Sequence, residues 1–219
     1  MKYFEDIGRL WSLLREMLGG SLITIQVWGF TLLFALPLGL LFCLMYLSRN
    51  KLLRGFSKGY IFLFRGTPLL LQVVLVFFGL PLIGIKFERL TAAIVAFSLN
   101  YAAYFAEIYR GGLQSISRGQ YEAAHVLGLS SRVTFFKVIL PQVAKRILPP
   151  MGNEIITLVK DTALVYAIAL SDLLREAKIA MLRDFSFMPL VIAAIFYLIM
   201  TGGLTSLFRR VERRFDYYR

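Results

Sequence analysis

The chain has 219 residues, 58% of them hydrophobic and 17% charged, and a mean hydropathy of +0.68. Soluble domains carry nearer a quarter charged residues, so the composition excludes an ordinary soluble domain and points to a membrane protein. A formal net charge of +12 can suggest nucleic acid, but the basic residues cluster between apolar runs, a membrane-orientation pattern and not a nucleic-acid one.

Taken in order, Tyr3, Phe4, Ile7, Leu10, Trp11, Leu14 and Leu18 fall on one face. They predict an interfacial amphipathic helix over about 3–18, with Trp11 at headgroup level. This stretch lacks the basic start, apolar core and small-residue site of a cleaved signal. A first span is expected over 22–47, with Pro37 and Gly39 marking a kink or a close packing point. Arg49, Lys51, Arg54 and Lys58 then form a basic loop. Further spans are expected over 69–85, 90–106, 151–170 and 187–208, the fourth opening at Pro149-Pro150. A polar segment over 110–149 separates the third from the fourth, and a mixed, charged one over 171–185 follows the fourth. The reading is a single all-α, polytopic membrane domain of five transmembrane helices, with no internal repeat.

Orientation follows from counting Lys and Arg in alternate loops. One side holds fifteen, from Arg49 to Lys58, Arg110 to Arg146 and Arg209 to Arg219; the other holds eight, among them Lys2, Arg9, Lys86 and Arg183. The excess places the 110–149 segment and the C-terminus in the cytoplasm and the N-terminus outside.

The chemistry available is not catalytic. The chain has no Gly-x-x-x-x-Gly-Lys-Ser/Thr loop to cradle ATP phosphates. With one histidine, His125, and one cysteine, Cys43, neither a hydrolytic triad nor a metal site is expected.

Polar residues inside the spans are the candidates for a substrate path. Arg65-Gly66-Thr67-Pro68, with Gln72 just beyond, predicts either a break in the helix, tolerated at membrane depth where backbone lines a cavity, or a simple helix start. Asn100 sits among small residues and reads as glue between helices or as a substrate contact. In the fourth span Glu154 and Asp161 are seven residues apart and project from nearly one face, with Thr157 and Leu158 between them. An acid at the centre of a span costs about 2.5–3.5 kcal/mol on insertion scales. The pair therefore lines a wet cavity or meets cations such as Arg65. If the cavity takes an amino acid, one acid receives its ammonium and the other a cationic side chain, with Thr67, Pro68, Gln72 and Asn100 on the polar remainder.

In the 110–149 segment, Ser117 and Gln120 have capping-box spacing, so a short helix is expected from Arg118. Glu122, Ala123, Ala124 and Gly128 leave part of that helix nearly bare, Gly128 suits its C-terminus, and Ser130 or Ser131 can cap the next helix. There Val133, Phe136, Leu140 and Val143 are expected to form one apolar stripe, with Pro141 following Leu140. By spacing alone this is either a docking surface or an amphipathic hairpin on the membrane.

Together, Glu122-Ala123-Ala124, Gly128 and Ile139-Leu140-Pro141 resemble the EAA loop of ABC-importer permeases. With Arg65-Gly66-Thr67-Pro68, Glu107 to Gly112 and Lys160-Asp161-Thr162, nearly the whole chain resembles the polar amino-acid permeases of type I importers. The resemblance implies that Glu122, Ala123, Ala124, Gly128, Leu140 and Pro141 dock a partner ATPase. It also implies a second permease subunit, an extracellular substrate-binding protein, and ATP with Mg bound by the ATPase, no cofactor being held by this chain. A cationic amino acid is the expected cargo, glutamine or another neutral polar one the alternative. A secondary transporter using Glu154, Lys160 and Asp161 as an ion relay is the competing class.

Overall fold

The computed structural model describes residues 7–214; Lys2, Tyr3, Phe4 and Arg219 lie outside them. All the regular secondary structure of the described residues is helical, with no strand among them. Helix α1 runs unbroken over Ile7–Leu47, so the expected separation of an interfacial helix from the first span is not found. Packing decides this. Leu13 and Met17 are fully buried against the last two helices, which holds the N-terminal turns in register with the rest. Nor does Pro37 end the helix. The bare Gly39 lets α1 approach its neighbour: a Cβ there would stand 2.8 Å from Phe105 Cβ and 2.9 Å from the Ala102 carbonyl oxygen.

The expected basic loop is instead helix α2, Lys51–Gly66, capped by the Asn50 side chain accepting from the Leu52 amide at 2.9 Å. Lys51, Arg54, Lys58 and Arg65 recur at near-helical spacing and share one face. Another face is tied to the core, where Ser57 donates to the Phe42 carbonyl at 2.7 Å and Tyr60 stacks on Phe42 with ring centroids 3.6 Å apart. Helix α3, Leu69–Val74, continues as a π-helical turn over Leu75–Gly79 and a 3₁₀ turn over Leu80–Ile83, ending at Gly84 with φ of 89°. The axes of α2 and of this second piece differ by 103°, so the break at Thr67-Pro68 is a true break in the helix.

Helix α4, Arg89–Gln114, packs Ala92, Ala93, Ala96 and Ala102 against α1, with Phe97 and Phe105 filling the core beside them. It extends two turns past the expected end of the third span, so the polar segment begins at Ser115. That segment holds α5, Arg118–Val126, the short α6, Ser131–Val133, and a π-helical stretch over Thr134–Ile139. Helix α7 covers Leu140–Asp161 and leads into a 3₁₀ stretch over Thr162–Ile168. The fourth span thus does not start at Pro149-Pro150; both prolines lie inside α7. The chain continues as α8, Leu173–Asp184, and α9, Met188–Arg214.

Three described helices, α1, α4 and α9, are long and apolar enough to cross a membrane, and the bent α2–α3 pair makes a fourth. Helix α7 does not qualify by composition, because Lys145, Arg146, Glu154, Lys160 and Asp161 interrupt its apolar residues. By length and composition the described residues therefore supply up to four spans, not the expected five.

Candidate functional site

Where α2 breaks into α3, the backbone leaves carbonyls without helical partners. Two amide side chains take them up. Gln72 Nε2 donates to the carbonyls of Phe64 at 3.0 Å and Thr67 at 3.2 Å and to Thr67 Oγ1 at 2.8 Å. Asn100 Nδ2 donates to the same Phe64 carbonyl at 2.9 Å and to Gln72 Oε1 at 3.0 Å. Both residues are buried. They staple the break to α4, which is the glue reading of Asn100 and extends it to Gln72.

Beside this staple opens a cavity of about 550 Å³. Thr67, Pro68, Asn100, Glu154, Thr157 and Asp161, six of the eight residues expected at a substrate site, line it. Gln72 is behind the wall. Leu158 is fully buried in the apolar core, because the step of about 100° from Thr157 turns it away from the cavity. Lys160 is exposed and not part of the lining. Motif spacing passed over Arg65 as a wall residue, and also Tyr101, Tyr104 and Asn153. Tyr101 lies one residue after Asn100 and donates to Asp161 Oδ2 at 2.7 Å, so one of the two carboxylates is partly satisfied from α4. Arg65 does not pair with either acid. It sits 3.7 Å from Glu107 and 5.2 Å over the Tyr104 ring, while Glu107 is gripped by Arg110 through two bonds of 3.2 and 2.5 Å.

The arrangement can hold a small zwitterion. Two carboxylates and one guanidinium face a space the size of a small-molecule site, with hydroxyl and amide groups between them. Such intramembrane charges are costly unless they serve a path or a partner.

The polar segment forms a second candidate surface. Helix α5 ends in a Schellman motif: Leu129 N–H donates to the Ala124 carbonyl at 3.0 Å and Gly128 N–H to that of His125 at 2.9 Å. Gly128 has φ of 69°, as a residue in this position requires. Ser117 precedes α5 but makes no side-chain cap, and Gln120 instead accepts from Gln142 of α7 at 3.1 Å; Ser130 does cap α6. Glu122 and Ala123 are exposed, Ala124 is buried, and Leu140 and Pro141 open α7 at the surface. The expected apolar stripe is out of phase. The wide π turn over Thr134–Ile139 rotates the residues C-terminal to it, so Ile139 and Val143 are buried with Ile116 while Phe136 and Leu140 face outward. Exposed Val126 and Leu127 at the tip of α5 add an apolar patch that spacing did not single out.

Residues 35–217 match the family described as the binding-protein-dependent transport system inner membrane component. The protein named GlnP, for a glutamine transport system permease, in Rickettsia bellii (strain RML369-C) is 36% identical over 197 residues, covering 89% of this chain and 90% of the relative. The arginine transport system permease protein ArtQ of Bacillus subtilis (strain 168) is 38% identical, covering 90% and 91%. A crystal structure of an amino acid ABC transporter with histidines superposes with a TM-score of 0.88 at 34% identity, covering 95% of this chain and 98% of that one. The chain belongs to this family of inner-membrane transport components, and its relatives place it among the amino-acid permeases of ABC importers. It is a multi-pass inner-membrane protein and not itself an enzyme; ATP hydrolysis belongs to a separate ATPase.

Proposed function

We propose that this chain forms the substrate path of an ATP-driven importer for cationic amino acids, of the arginine, lysine or histidine type. The observation that carries the reading is the pair Glu154 and Asp161 facing Arg65 across one cavity. Arg65 supplies the partner for the α-carboxylate, one acid takes the α-ammonium, and the second acid is left for a cationic side chain. A glutamate side chain would meet that spare carboxylate and be repelled. Neutral polar cargo such as glutamine is the second reading, favoured by the name of the Rickettsia bellii relative.

On this proposal, five spans leave the N-terminus outside and α5, with its loop, in the cytoplasm. The patch of Glu122, Ala123, Gly128, Leu140 and Pro141 docks an ATPase that binds ATP with Mg. A second permease subunit completes the membrane assembly, and an extracellular binding protein delivers the amino acid. The test is competition transport. Glu154→Gln is expected to lower arginine uptake by about tenfold, the rate equivalent of about 1.4 kcal/mol, and glutamine uptake much less. Equal losses for both, or preferred glutamate uptake by the unaltered protein, would rule out charge recognition at this face.

A further inference from the structure

We propose that a second cavity beside Lys58 is an exit station for the amino acid's α-carboxylate, so that cargo leaves carboxylate first. This rests on the substrate site proposed above and extends it toward the basic end of α2. The second cavity, about 510 Å³, is lined by Tyr46, Lys58, Arg65, Tyr104 and Glu107 among others. Arg65, Gly66 and Tyr104 line both cavities, so the two adjoin across the Arg65 guanidinium and the ring beneath it.

The charge balance reverses at that boundary. On the first side two carboxylates face Arg65. On the second side Lys58 and Arg65 face Glu107, whose two oxygens are already taken by Arg110. Arg110 is itself fixed, donating to Gln114 at 2.6 Å and lying 5.0 Å over the Tyr46 ring. The free field of the second cavity is therefore positive. Arg65 is held far more loosely than Arg110. Its contacts are a 3.7 Å approach to Glu107 and the Tyr104 ring 5.2 Å beneath it, and 42% of its side chain is exposed, a geometry of small net stabilisation. A long side chain so held can follow a carboxylate from one cavity to the other. Lys58, 5.4 Å from the Tyr46 ring centroid, is the next cation along the path, while Glu154 and Asp161 retain the ammonium end behind.

The experiment uses the complete transporter, with its ATPase and binding protein, in proteoliposomes and with radiolabelled arginine and glutamine in parallel. Both carry the α-carboxylate, so the outcome does not depend on which is preferred. Lys58→Gln is expected to lower turnover about fivefold, as for one partly exposed charge contact, at an unchanged half-saturating concentration. Lys58→Glu is expected to lower it further and Lys58→Arg to restore it. Arg54→Gln, one turn away on the same helix and outside the lining, controls for loss of a cytoplasmic charge and is expected to transport normally. Wild-type turnover in both Lys58→Gln and Lys58→Glu would overturn the exit station, as would equal slowing by Arg54→Gln. Equilibrium binding of the labelled amino acid to the ATP-free transporter reports the first cavity separately. Absence of binding in the unaltered protein would overturn the substrate site, whereas intact binding with turnover indifferent to Lys58 would overturn the exit station alone.

Discussion

Asn100 and Gln72 hold each other across a helix break, Nδ2 of the first donating to Oε1 of the second at 3.0 Å while both amides serve the Phe64 carbonyl. Two side chains from different helices thereby satisfy backbone that a continuous helix would have satisfied itself. The bent path, and with it the cavity wall at Thr67-Pro68, depends on this pair.

Removing either amide leaves buried acceptors unmet. Gln72→Leu and Asn100→Leu are each expected to destabilise the protein by about 1–3 kcal/mol. The double variant should lose less than the sum, since the partners share one network. Thermal unfolding midpoints of the purified protein check this; strictly additive losses would show that the two amides act independently.

Gly128 has open space around its Cα, with no atom within 4 Å of where a side-chain methyl would sit, yet a φ of 69°. Its requirement is thus conformational within this chain. Gly128→Ala is expected to strain the end of α5 by about 1–2 kcal/mol, Gly128→Asn by less because Asn tolerates this region. If α5 docks an ATPase, Gly128→Asp should insert normally but lose most substrate-stimulated ATP hydrolysis. Wild-type hydrolysis by the Asp variant would remove α5 from the docking surface.

The orientation can be read with impermeant thiol reagents in a Cys43→Ser background. A cysteine at Phe185, which is 96% exposed, should be labelled from outside intact cells, and one at Ser130 only after the membrane is opened. The reverse pattern would invert the topology.

Gly39 tests the contact between α1 and α4. Even an alanine there places its Cβ 2.8 Å from Phe105 Cβ, so the helices must part. Gly39→Ala is expected to lower stability by about 1–3 kcal/mol and Gly39→Val by more, whereas Gly29→Ala, whose added Cβ would meet no neighbouring element within 4 Å, should be neutral or mildly stabilising. Equal midpoints for the Gly39 and Gly29 variants would contradict the close approach.

Much of this was legible in the sequence because it is periodic or stereochemical. The seven-residue spacing of Glu154 and Asp161 put both on one wall, and Gly128 at the end of a short helix carried its own torsion. The failures have physical causes. A loop assignment for 49–58 followed charge, but Arg54 and Lys58 share a face of α2 while Ser57 and Ile61 bury another. Leu158 was included by proximity in sequence, although one residue turns a helix by about 100°. The stripe through Phe136 and Leu140 assumed a uniform helix, and a π turn has no sequence signature as plain as proline's. Arg65, though noticed as a possible ion-pair partner, became a wall residue only once the break brought it round to Glu154.

Helix α1 has 41 residues and so spans about 60 Å, roughly twice the hydrocarbon thickness of a bilayer. Tilt alone cannot absorb such an excess, so a large part of this rod stands beyond the lipid. Its N-terminal turns pack against α8 through Leu13, Met17 and the bare Gly20, which meets the Leu173 backbone. One rod thus ties α4, against which its middle packs, and α8, against which its N-terminal turns pack, into one continuous framework.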